Sequence, residues 1–221
     1  MVALYTTNPG GPTARLVDAL ADAHPSNRLR AALAAGTARD SGLTETLVAR
    51  CAVEPDFFVR DMLTWALCRM PAETTVPRLI EQLGSDVEQA RSQALHTLSK
   101  IGDRRAWPAV STLLHDPHDE VARSAWRAAV ALVPPDGEGE LAARLATELG
   151  RGDHPMQLSL SRALVGLGES VLPVFGAAAT SPDPWVRAHA EATERLCRDP
   201  DSGFTVSLEM AKRVAAAGPD M

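Results

Sequence analysis

The sequence of 221 residues is poor in aromatic residues and cysteine, and each scarcity excludes a class of protein. Aromatic residues make up 4%, and the β-branched and aromatic runs that are typical of sheets are missing. The three cysteines, Cys51, Cys68 and Cys197, form no CxxC pair, so neither a zinc knuckle nor a disulfide framework is predicted. We expect Cys68 and Cys197 to be buried as small hydrophobic residues without a nucleophilic role.

The sequence also lacks a basic excess and a long apolar run. Lysine occurs only at Lys100 and Lys212, and 28 acidic residues outnumber 22 Lys and Arg, which gives a net charge of −6. Domains that bind a nucleic-acid duplex usually carry a basic excess, so nucleic acid is not the expected partner. No apolar run approaches the roughly 18 residues of a membrane span. The first residues, MVALYTTNPGG, lack the regions of a secretory signal, so we expect a cytoplasmic protein without membrane contact.

One segment is repeated about six times along the chain. The segment DFFVRDMLTWAL at residues 56–67 resembles segments that start at residues 87, 119 and 183, and weaker copies start at residues 26 and 154. The shared anchor position is occupied, in order, by Arg30, Arg60, Arg91, Arg123, Leu158 and Arg187. Successive anchors are 30, 31, 32, 35 and 29 residues apart. This period predicts stacked helical hairpins, because one hairpin cannot bury its own apolar face.

Each repeat is predicted to form two helices with recognisable ends. Asp56, Asp119 and Asp183 precede their anchors by four residues, and we expect them to cap the first helix of each pair. Pro77 and Pro108 occupy equivalent places in successive repeats. We expect both prolines in the first turn of the second helix, where a missing amide hydrogen costs nothing. The recurrence of both patterns predicts an all-α fold.

The pattern D-x-x-V-R-x-x-A, followed by a second helix that opens with proline and a leucine-rich stripe, resembles HEAT repeats. The resemblance is specifically to the short bacterial type called PBS-lyase-like, and it covers about residues 25–200. It implies a right-handed α-solenoid of about six helical hairpins. The implied organisation is a tail and capping helix at 1–24, the solenoid at 25–200, and a capping helix and tail at 201–221. Leu158 replaces the arginine of the pattern, so we expect the polar ladder of anchor residues to be interrupted there.

Three groups of chemically capable side chains have structural explanations. The anchor arginines are expected to pair between repeats or within their own helix and not to form an anion-binding row. Residues 115–120 (HDPHDE) fall in a tight turn from which four ligands cannot converge on one ion, so no metal site is predicted. Trp107 and Trp126 are expected to face the core, and Trp185 is expected to be partly exposed.

The remaining candidate site is a recognition surface. In HEAT-repeat solenoids the second helix of each pair lines the concave side, which is the usual binding face. The resemblance therefore assigns a binding surface to the outward-pointing residues Arg78, Glu81, Gln82, Thr112, Arg144 and Thr147. Their mixed polar character favours another protein as the partner over a polyanion.

The predicted function is a non-enzymatic protein–protein interaction scaffold or regulatory binding module, with no catalytic residue, metal ion or cofactor. The alternative is a HEAT-like enzyme, similar to a DNA glycosylase or a pigment lyase, that acts in the concave cleft. It requires clustered arginines such as Arg78 and Arg144 beside an exposed aromatic residue, Trp107 or Trp185, and a carboxylate. The oligomeric state is expected to be a monomer or a weak homo-oligomer, the latter formed through apolar residues from Phe204 onward.

Overall fold

The computed structural model describes residues 11–199, and this part of the chain is helical without a strand. It contains twelve α-helices: α1 (Pro12–Leu20), α2 (Pro25–Ala38), α3 (Thr44–Val53), α4 (Phe57–Cys68), α5 (Ala72–Gln82), α6 (Glu88–Ile101), α7 (Trp107–Val110), α8 (Asp119–Leu132), α9 (Glu138–Ala146), α10 (His154–Val165), α11 (Leu172–Ala179) and α12 (Pro184–Arg198). Short 3-10 helices lie at Ser41–Leu43, Arg104–Ala106, Ser111–Leu113 and Gly168–Val171. None of these helices combines the length and the apolar character needed to cross a membrane. The predicted all-α class is confirmed.

The helices alternate as the repeat predicts. The first helices of the pairs are α2, α4, α6, α8, α10 and α12, and five of them are followed by the second helices α3, α5, α7, α9 and α11. The predicted second helix of the sixth pair, from Phe204 onward, lies outside the described residues. Helix α1 precedes the first pair and packs against α2. The helical hairpin is thus the repeating unit of an α-solenoid, while the segment boundaries at residues 24 and 200 stay a prediction.

The chain divides into two compact units, Met1–Ala109 and Val110–Met221. In the first unit α4 packs against both α2 and α6, and α3 packs against α5 and α6. In the second unit α10 packs against both α8 and α12, and α9 packs against α11. These contacts bury the leucines of the repeat, among them Leu63, Leu95 and Leu160. Burial of each such side chain contributes about 1.5–3 kcal/mol, so stacking between repeats stabilises helices that are short on their own.

Two of the three predicted helix caps are confirmed. Asp56 Oδ1 accepts a hydrogen bond from the amide of Val59 at 3.0 Å, and Asp183 Oδ1 accepts one from the amide of Trp185 at 2.8 Å. The prediction for Asp119 is wrong, because this residue is the first residue of α8 and His118 holds the capping position.

Pro77 also departs from its predicted place. It lies inside α5, where a proline cannot donate the helical hydrogen bond to the carbonyl of Glu73. Pro108 is the second residue of α7 and therefore lies in the first turn, as predicted. The sequence pattern aligned the two prolines correctly, but α5 begins at Ala72, nearly a turn and a half before Pro77.

Three of the anchor arginines, Arg60, Arg91 and Arg187, bind the turn that precedes their own helix, a contact that the sequence pattern did not predict. Arg60 Nη1 donates to the carbonyl oxygens of Glu54 at 2.9 Å and Pro55 at 2.8 Å. Arg187 Nη1 makes the same contacts with the carbonyls six and five residues earlier, at 2.6 and 3.0 Å. Arg91 Nη1 donates to the carbonyl six residues earlier at 2.7 Å. These bonds tie each turn to its helix and give the ladder a structural role.

In two repeats the anchor differs from the predicted residue. In the first repeat it is Arg28 and not Arg30 that donates to the carbonyls six and five residues earlier, at 2.9 and 3.0 Å. In the fifth repeat Gln157 Nε2 donates to the carbonyl of Gly152 at 3.1 Å, so the interruption expected at Leu158 is wrong. The period alone could not fix the register, since residues one or two places apart fit nearly the same spacing.

Arg123 is the anchor that pairs within its own helix. Its Nη1 lies 2.8 Å from Glu120 Oε1, an i,i+3 ion pair of the predicted intrahelical kind. The carbonyls of Asp116 and Pro117, the two residues before the capping residue His118, accept hydrogen bonds from Arg151 Nη2 at 2.8 and 3.3 Å. A neighbouring repeat therefore supplies the arginine for this turn.

Candidate functional site

The predicted binding residues fall into two groups, one in each unit. The first group lies on α5 and consists of Arg78, Glu81 and Gln82. The second group lies after α7 and at the end of α9 and consists of Thr112, Arg144 and Thr147. Each group has different surroundings, so the two groups differ in what they can bind.

An open groove of about 520 Å³ lies between the start of α3 and one face of α5. Its lining consists of Ser41, Gly42, Thr44, Glu45, Glu73, Thr74, Pro77, Arg78 and Glu81. Two of the predicted residues, Arg78 and Glu81, are in this lining, and Gln82 is a half-buried neighbour outside it. The lining carries three carboxylates and one guanidinium, so its formal charge is −2 (one minus three).

Arg78 bridges two of the groove carboxylates. Its Nε lies 3.1 Å from Glu45 Oε2, and its Nη1 lies 2.9 Å from Glu81 Oε2. The hydrogen bond to Glu81, with the charges of Glu81 and Glu45, raises the pKa of Arg78 above its ordinary value. All three side chains are at least half exposed, and exposed ion pairs contribute little to stability. The bridge is therefore a weak contact that water or a ligand can replace.

The floor of the groove is fixed by the turn that precedes α3. Asp40 accepts a hydrogen bond from Thr13 Oγ1 at 3.0 Å, which ties the turn to α1. The other carboxylate oxygen of Asp40 accepts one from the amide of Gly42 at 2.9 Å and caps the 3-10 helix. This arrangement places Thr44 and Glu45, the first residues of α3, opposite α5.

Two threonines of α3 and α5 have buried hydroxyl groups without a hydrogen-bond partner. Thr44 is 4% exposed and Thr75 is fully buried, and the Oγ1 of each lacks a partner. Such a group costs free energy, since it has lost its hydrogen bonds to water. Thr44 lines the groove, so the groove contains one unsatisfied hydroxyl beside its carboxylates.

The second group of predicted residues is tied more closely to the fold. Arg144 is half-buried, and its Nη2 donates to the carbonyl of Ser111 at 2.6 Å, which joins α9 to the 3-10 helix of the preceding repeat. Thr147 Oγ1 donates to the carbonyl of Arg144 at 2.8 Å at the end of α9. Thr112 is exposed. Arg144 therefore supports the stack of repeats, and Thr112 and Thr147 are the exposed members of this group.

Charged side chains form a buried junction between the first two repeats, which the sequence did not indicate. Glu54 is fully buried between Arg28 and Arg50. Its two carboxylate oxygens lie 2.6 Å from Arg28 Nη2 and 2.8 Å from Arg50 Nη2. Burial alone would raise the pKa of Glu54, but hydrogen bonds from Arg28, from the amide of Asp56 and from Arg50 outweigh it and lower the pKa to about 2.

A second buried polar junction lies between α10 and α12. Nδ1 of His189 accepts a hydrogen bond from the amide of Gly150 at 3.0 Å, so the proton of the neutral ring is on Nε2. Nε2 lies 2.9 Å from the carbonyl of Gln157 and 3.0 Å from Ser161 Oγ, which is 2.7 Å from Thr193 Oγ1. Burial lowers the pKa of His189 to about 4, against the raising effect of the Gln157 carbonyl.

The side chains of residues 115–120 (HDPHDE) contact different partners. His115 Nδ1 lies 2.6 Å from Glu148 Oε1, His118 Nδ1 lies 3.0 Å from Asp116 Oδ1, and Asp119 pairs with Arg151 at 2.8 Å. Among residues 11–199 no group of three or more histidine, cysteine, aspartate or glutamate side chains is arranged to hold a metal ion.

The cysteine and tryptophan predictions are confirmed only in part. Cys68 is exposed and Cys197 is half-buried, so the expected burial is wrong for Cys68. Trp126 is fully buried and donates from Nε1 to the carbonyl of Leu114 at 2.9 Å, as a core residue. Trp107 and Trp185 are both half-buried, which agrees with the prediction for Trp185 and only partly with that for Trp107.

Sequence reasoning missed Glu45 and Glu73, the other carboxylates of the groove. The outward positions were read along single helices, whereas Glu45 comes from the preceding hairpin, 33 residues before Arg78. Subtracting the period of about 31 residues from Arg78 and Gln82 leads to Leu47 and Cys51, which are buried, so the period alone would not have identified Glu45.

Comparisons with known proteins identify the repeat. Residues 44–132 match the family described as HEAT repeats. The complex of CpcE and CpcF of phycocyanin lyase from Nostoc gives a TM-score of 0.50 at 19% identity, covering 89% of this chain and 81% of that chain. An engineered protein gives 0.47 at 20% identity (85% and 97% covered), and a designed armadillo repeat protein gives 0.44 at 15% identity (83% and 98% covered). No curated protein matches. The likeness to the Nostoc structure shows the fold alone.

Proposed function

We propose that this chain, whose residues 44–132 are HEAT repeats, is a non-enzymatic module that binds another protein through the exposed surface of its second helices. The observation that carries the proposal is the open groove beside α5. Its charged side chains Glu45, Arg78 and Glu81 are exposed and only weakly bound to one another. A partner can therefore displace their mutual contacts at little cost.

The groove residues Arg78 and Glu81 are the centre of the proposed surface, with Gln82 beside them. The exposed Thr112 and Thr147 of the second unit are further contact candidates, whereas Arg144 is engaged by the carbonyl of Ser111. The Nostoc structure is a complex of two proteins, so this fold occurs in protein assemblies. The proposed setting is the bacterial cytoplasm, with the chain as a monomer or a weak homo-oligomer.

Affinity capture tests this proposal. The full chain and its Glu81→Arg variant are immobilised and exposed to lysate of the native organism, and captured proteins are quantified by mass spectrometry. We expect at least one protein to be captured by the wild type and to be lost with the variant, because the charge reversal changes the centre of the surface.

Glu191→Arg is the matched control for this experiment. Glu81 and Glu191 are 59% and 66% exposed, and each pairs with an arginine of its own helix. The control should capture the same proteins as the wild type. Identical capture by wild type, Glu81→Arg and Glu191→Arg would count against the proposed surface.

A further inference from the structure

We propose that the groove between α3 and α5 binds an arginine or lysine side chain from an extended segment of the partner protein, and that Arg78 occupies the place of this side chain in the unbound chain. The inference rests on the proposed function and specifies the chemistry of the partner. It is carried by the charge of the groove, by its unsatisfied hydroxyl group and by the geometry around Arg78.

Charge is the first argument. Glu45, Glu73 and Glu81 line the groove, and Arg78 neutralises only one of the three negative charges. Arg78 bridges Glu45 and Glu81, whereas Glu73 makes no ion pair within residues 11–199. A second cation in the groove would therefore find one carboxylate that makes no ion pair and two that are shared.

The groove also has unsatisfied hydrogen-bonding capacity. Thr44 is more than nine-tenths buried, lines the groove and has a hydroxyl group without a partner. Pro77, which also lines the groove, cannot donate the usual helical hydrogen bond to the carbonyl of Glu73. The carbonyl and the ionised carboxylates only accept hydrogen bonds, and the hydroxyl oxygen can accept one as well. Arginine and lysine side chains match such a lining because they carry donors, no acceptor and a positive charge.

Arg78 itself shows that a guanidinium group fits between the carboxylates. Its Nε and Nη1 contact Glu45 and Glu81 at the same time, so one guanidinium group reaches two carboxylates from the same place. Because this bridge is exposed, it is weak enough to be exchanged for a guanidinium from a partner. An isolated metal ion fits less well, since the described residues contain no cluster arranged as metal ligands.

The test uses synthetic peptides as probes. A fluorescent Gly/Ser peptide that carries two arginines is titrated with the full chain at low salt, and binding is followed by fluorescence anisotropy. The same peptide with two glutamines, and one with two lysines, are measured in parallel. We expect the arginine and lysine peptides to bind at least about tenfold more tightly than the glutamine peptide, and the difference to shrink in high salt.

Variants of the groove locate the binding site. Glu45→Gln and Glu81→Gln should each weaken binding of the arginine peptide about three- to tenfold. Arg78→Gln should tighten it by a similar factor, because the competing internal cation is removed. Glu191→Gln removes an equally exposed paired carboxylate from α12 and should leave binding unchanged. Because the substituted side chains are at least half exposed, the variants should keep the fold, and thermal unfolding of each variant checks this.

Three outcomes would overturn the inference: equal binding of the arginine and glutamine peptides, weaker binding by Arg78→Gln, or an equal effect of Glu191→Gln and Glu81→Gln. Lysate capture tests the proposed function, and peptide binding tests the cation site, so each can fail without the other. If a captured protein depends on Glu81 but the peptides do not discriminate, the proposed function stands and the cationic specificity is wrong. If the peptides discriminate at the groove but no captured protein depends on Glu81, the proposed function fails and the cation site stands.

Discussion

The two units each contain a buried polar junction between neighbouring hairpins, and the two junctions use opposite chemistry. In the first unit the ionised Glu54 is held by two arginines, Arg28 and Arg50. In the second unit the neutral ring of His189 is held by a backbone amide, a carbonyl and the hydroxyl group of Ser161. Both junctions satisfy their buried groups, but only the first depends on charge. Stacked repeats therefore tolerate both charged and neutral buried polar contacts when every group has a partner.

The largest expected effect is on the charged junction. Arg28→Met leaves Glu54 buried with only Arg50 as a charged partner, and it also removes the hydrogen bonds of Arg28 to the preceding turn. Breaking a buried ion pair on one side costs about 3–5 kcal/mol, so the free energy of unfolding should fall by about that amount. Urea denaturation of the full chain measures it.

Arg30→Met is the matched control for Arg28→Met. Arg30 is exposed on the same helix, and its Nε contacts only the Ser26 carbonyl at 3.2 Å. Its replacement should change the free energy of unfolding by less than about 0.5 kcal/mol. Equal effects of the two substitutions would show that the register assigned to the first anchor is wrong.

Acid should destabilise the two units over different pH ranges. In each unit the free energy of unfolding should fall by about 3 kcal/mol. The pKa of His189 falls from 6.5 to about 4 on folding, so its junction loses stability as the pH falls from about 6.5 to 4, where the unfolded chain binds the extra proton. The pKa of Glu54 falls from 4.5 to about 2, so its junction keeps its stability down to about pH 4.5 and loses it between pH 4.5 and 2.

Hydrogen exchange detected by mass spectrometry at pH 7 and pH 4.5 measures this separation, after correction for intrinsic exchange rates. Peptides from α10 and α12 should lose protection at pH 4.5 while those from α2 and α3 keep it. His189→Gln should reduce the pH dependence of α10 and α12, whatever its effect on stability at pH 7. If α2 lost protection from exchange at a higher pH than α12, the pH ranges assigned to Glu54 and His189 would be wrong.

Two glycines should respond in opposite directions to replacement by alanine. A Cβ on Gly36 would lie 2.4 Å from the ring of Trp65 and 2.8 Å from Cα of Ala66, so α2 and α4 approach too closely for alanine. Gly36→Ala should destabilise by about 1–3 kcal/mol. Gly176, inside α11, has nothing within 4 Å of such a Cβ, so Gly176→Ala should stabilise by about 0.5–1 kcal/mol through helix propensity. Thermal unfolding compares the two, and the same sign for both would contradict the packing of α2 on α4.

The smallest effect concerns the anchor of the fifth repeat. Gln157→Leu removes the hydrogen bond to the carbonyl of Gly152 and should cost about 1 kcal/mol. Leu158→Gln, at the position that the sequence pattern selected, removes a side chain that packs against Ala188 and Ala192. Only Gln157→Leu should increase hydrogen exchange in the turn at residues 150–153. Unchanged exchange in that turn would contradict the anchor role of Gln157.

Local features were predictable from the sequence when one helix contained all the necessary information. Asp56 and Asp183 cap their helices because the acceptor and the donor are within three residues of each other. The prediction for Asp119 failed because the repeated pattern placed the start of α8 one residue too late. Asp119 does not cap α8 and instead pairs with Arg151, which lies 32 residues away in the next repeat.

The candidate site was predictable in part for the same reason. Arg78 and Glu81 lie on one helix at i,i+3 spacing, so their common exposed face follows from helical geometry. Glu45 joins them only because α3 and α5 stack. How far one hairpin is shifted along the next cannot be deduced from the sequence.

The sequence by itself determined the all-α class, the helical hairpin as the repeating unit and the period of about 31 residues, because apolar periodicity and end signals act within one hairpin. The tertiary structure alone decided which residue of each repeat is the anchor, which carboxylates meet in the groove, and where Glu54 and His189 are buried. These features depend on contacts between side chains roughly one repeat apart. Such contacts are fixed by how the hairpins pack, and many different side chains satisfy the same period.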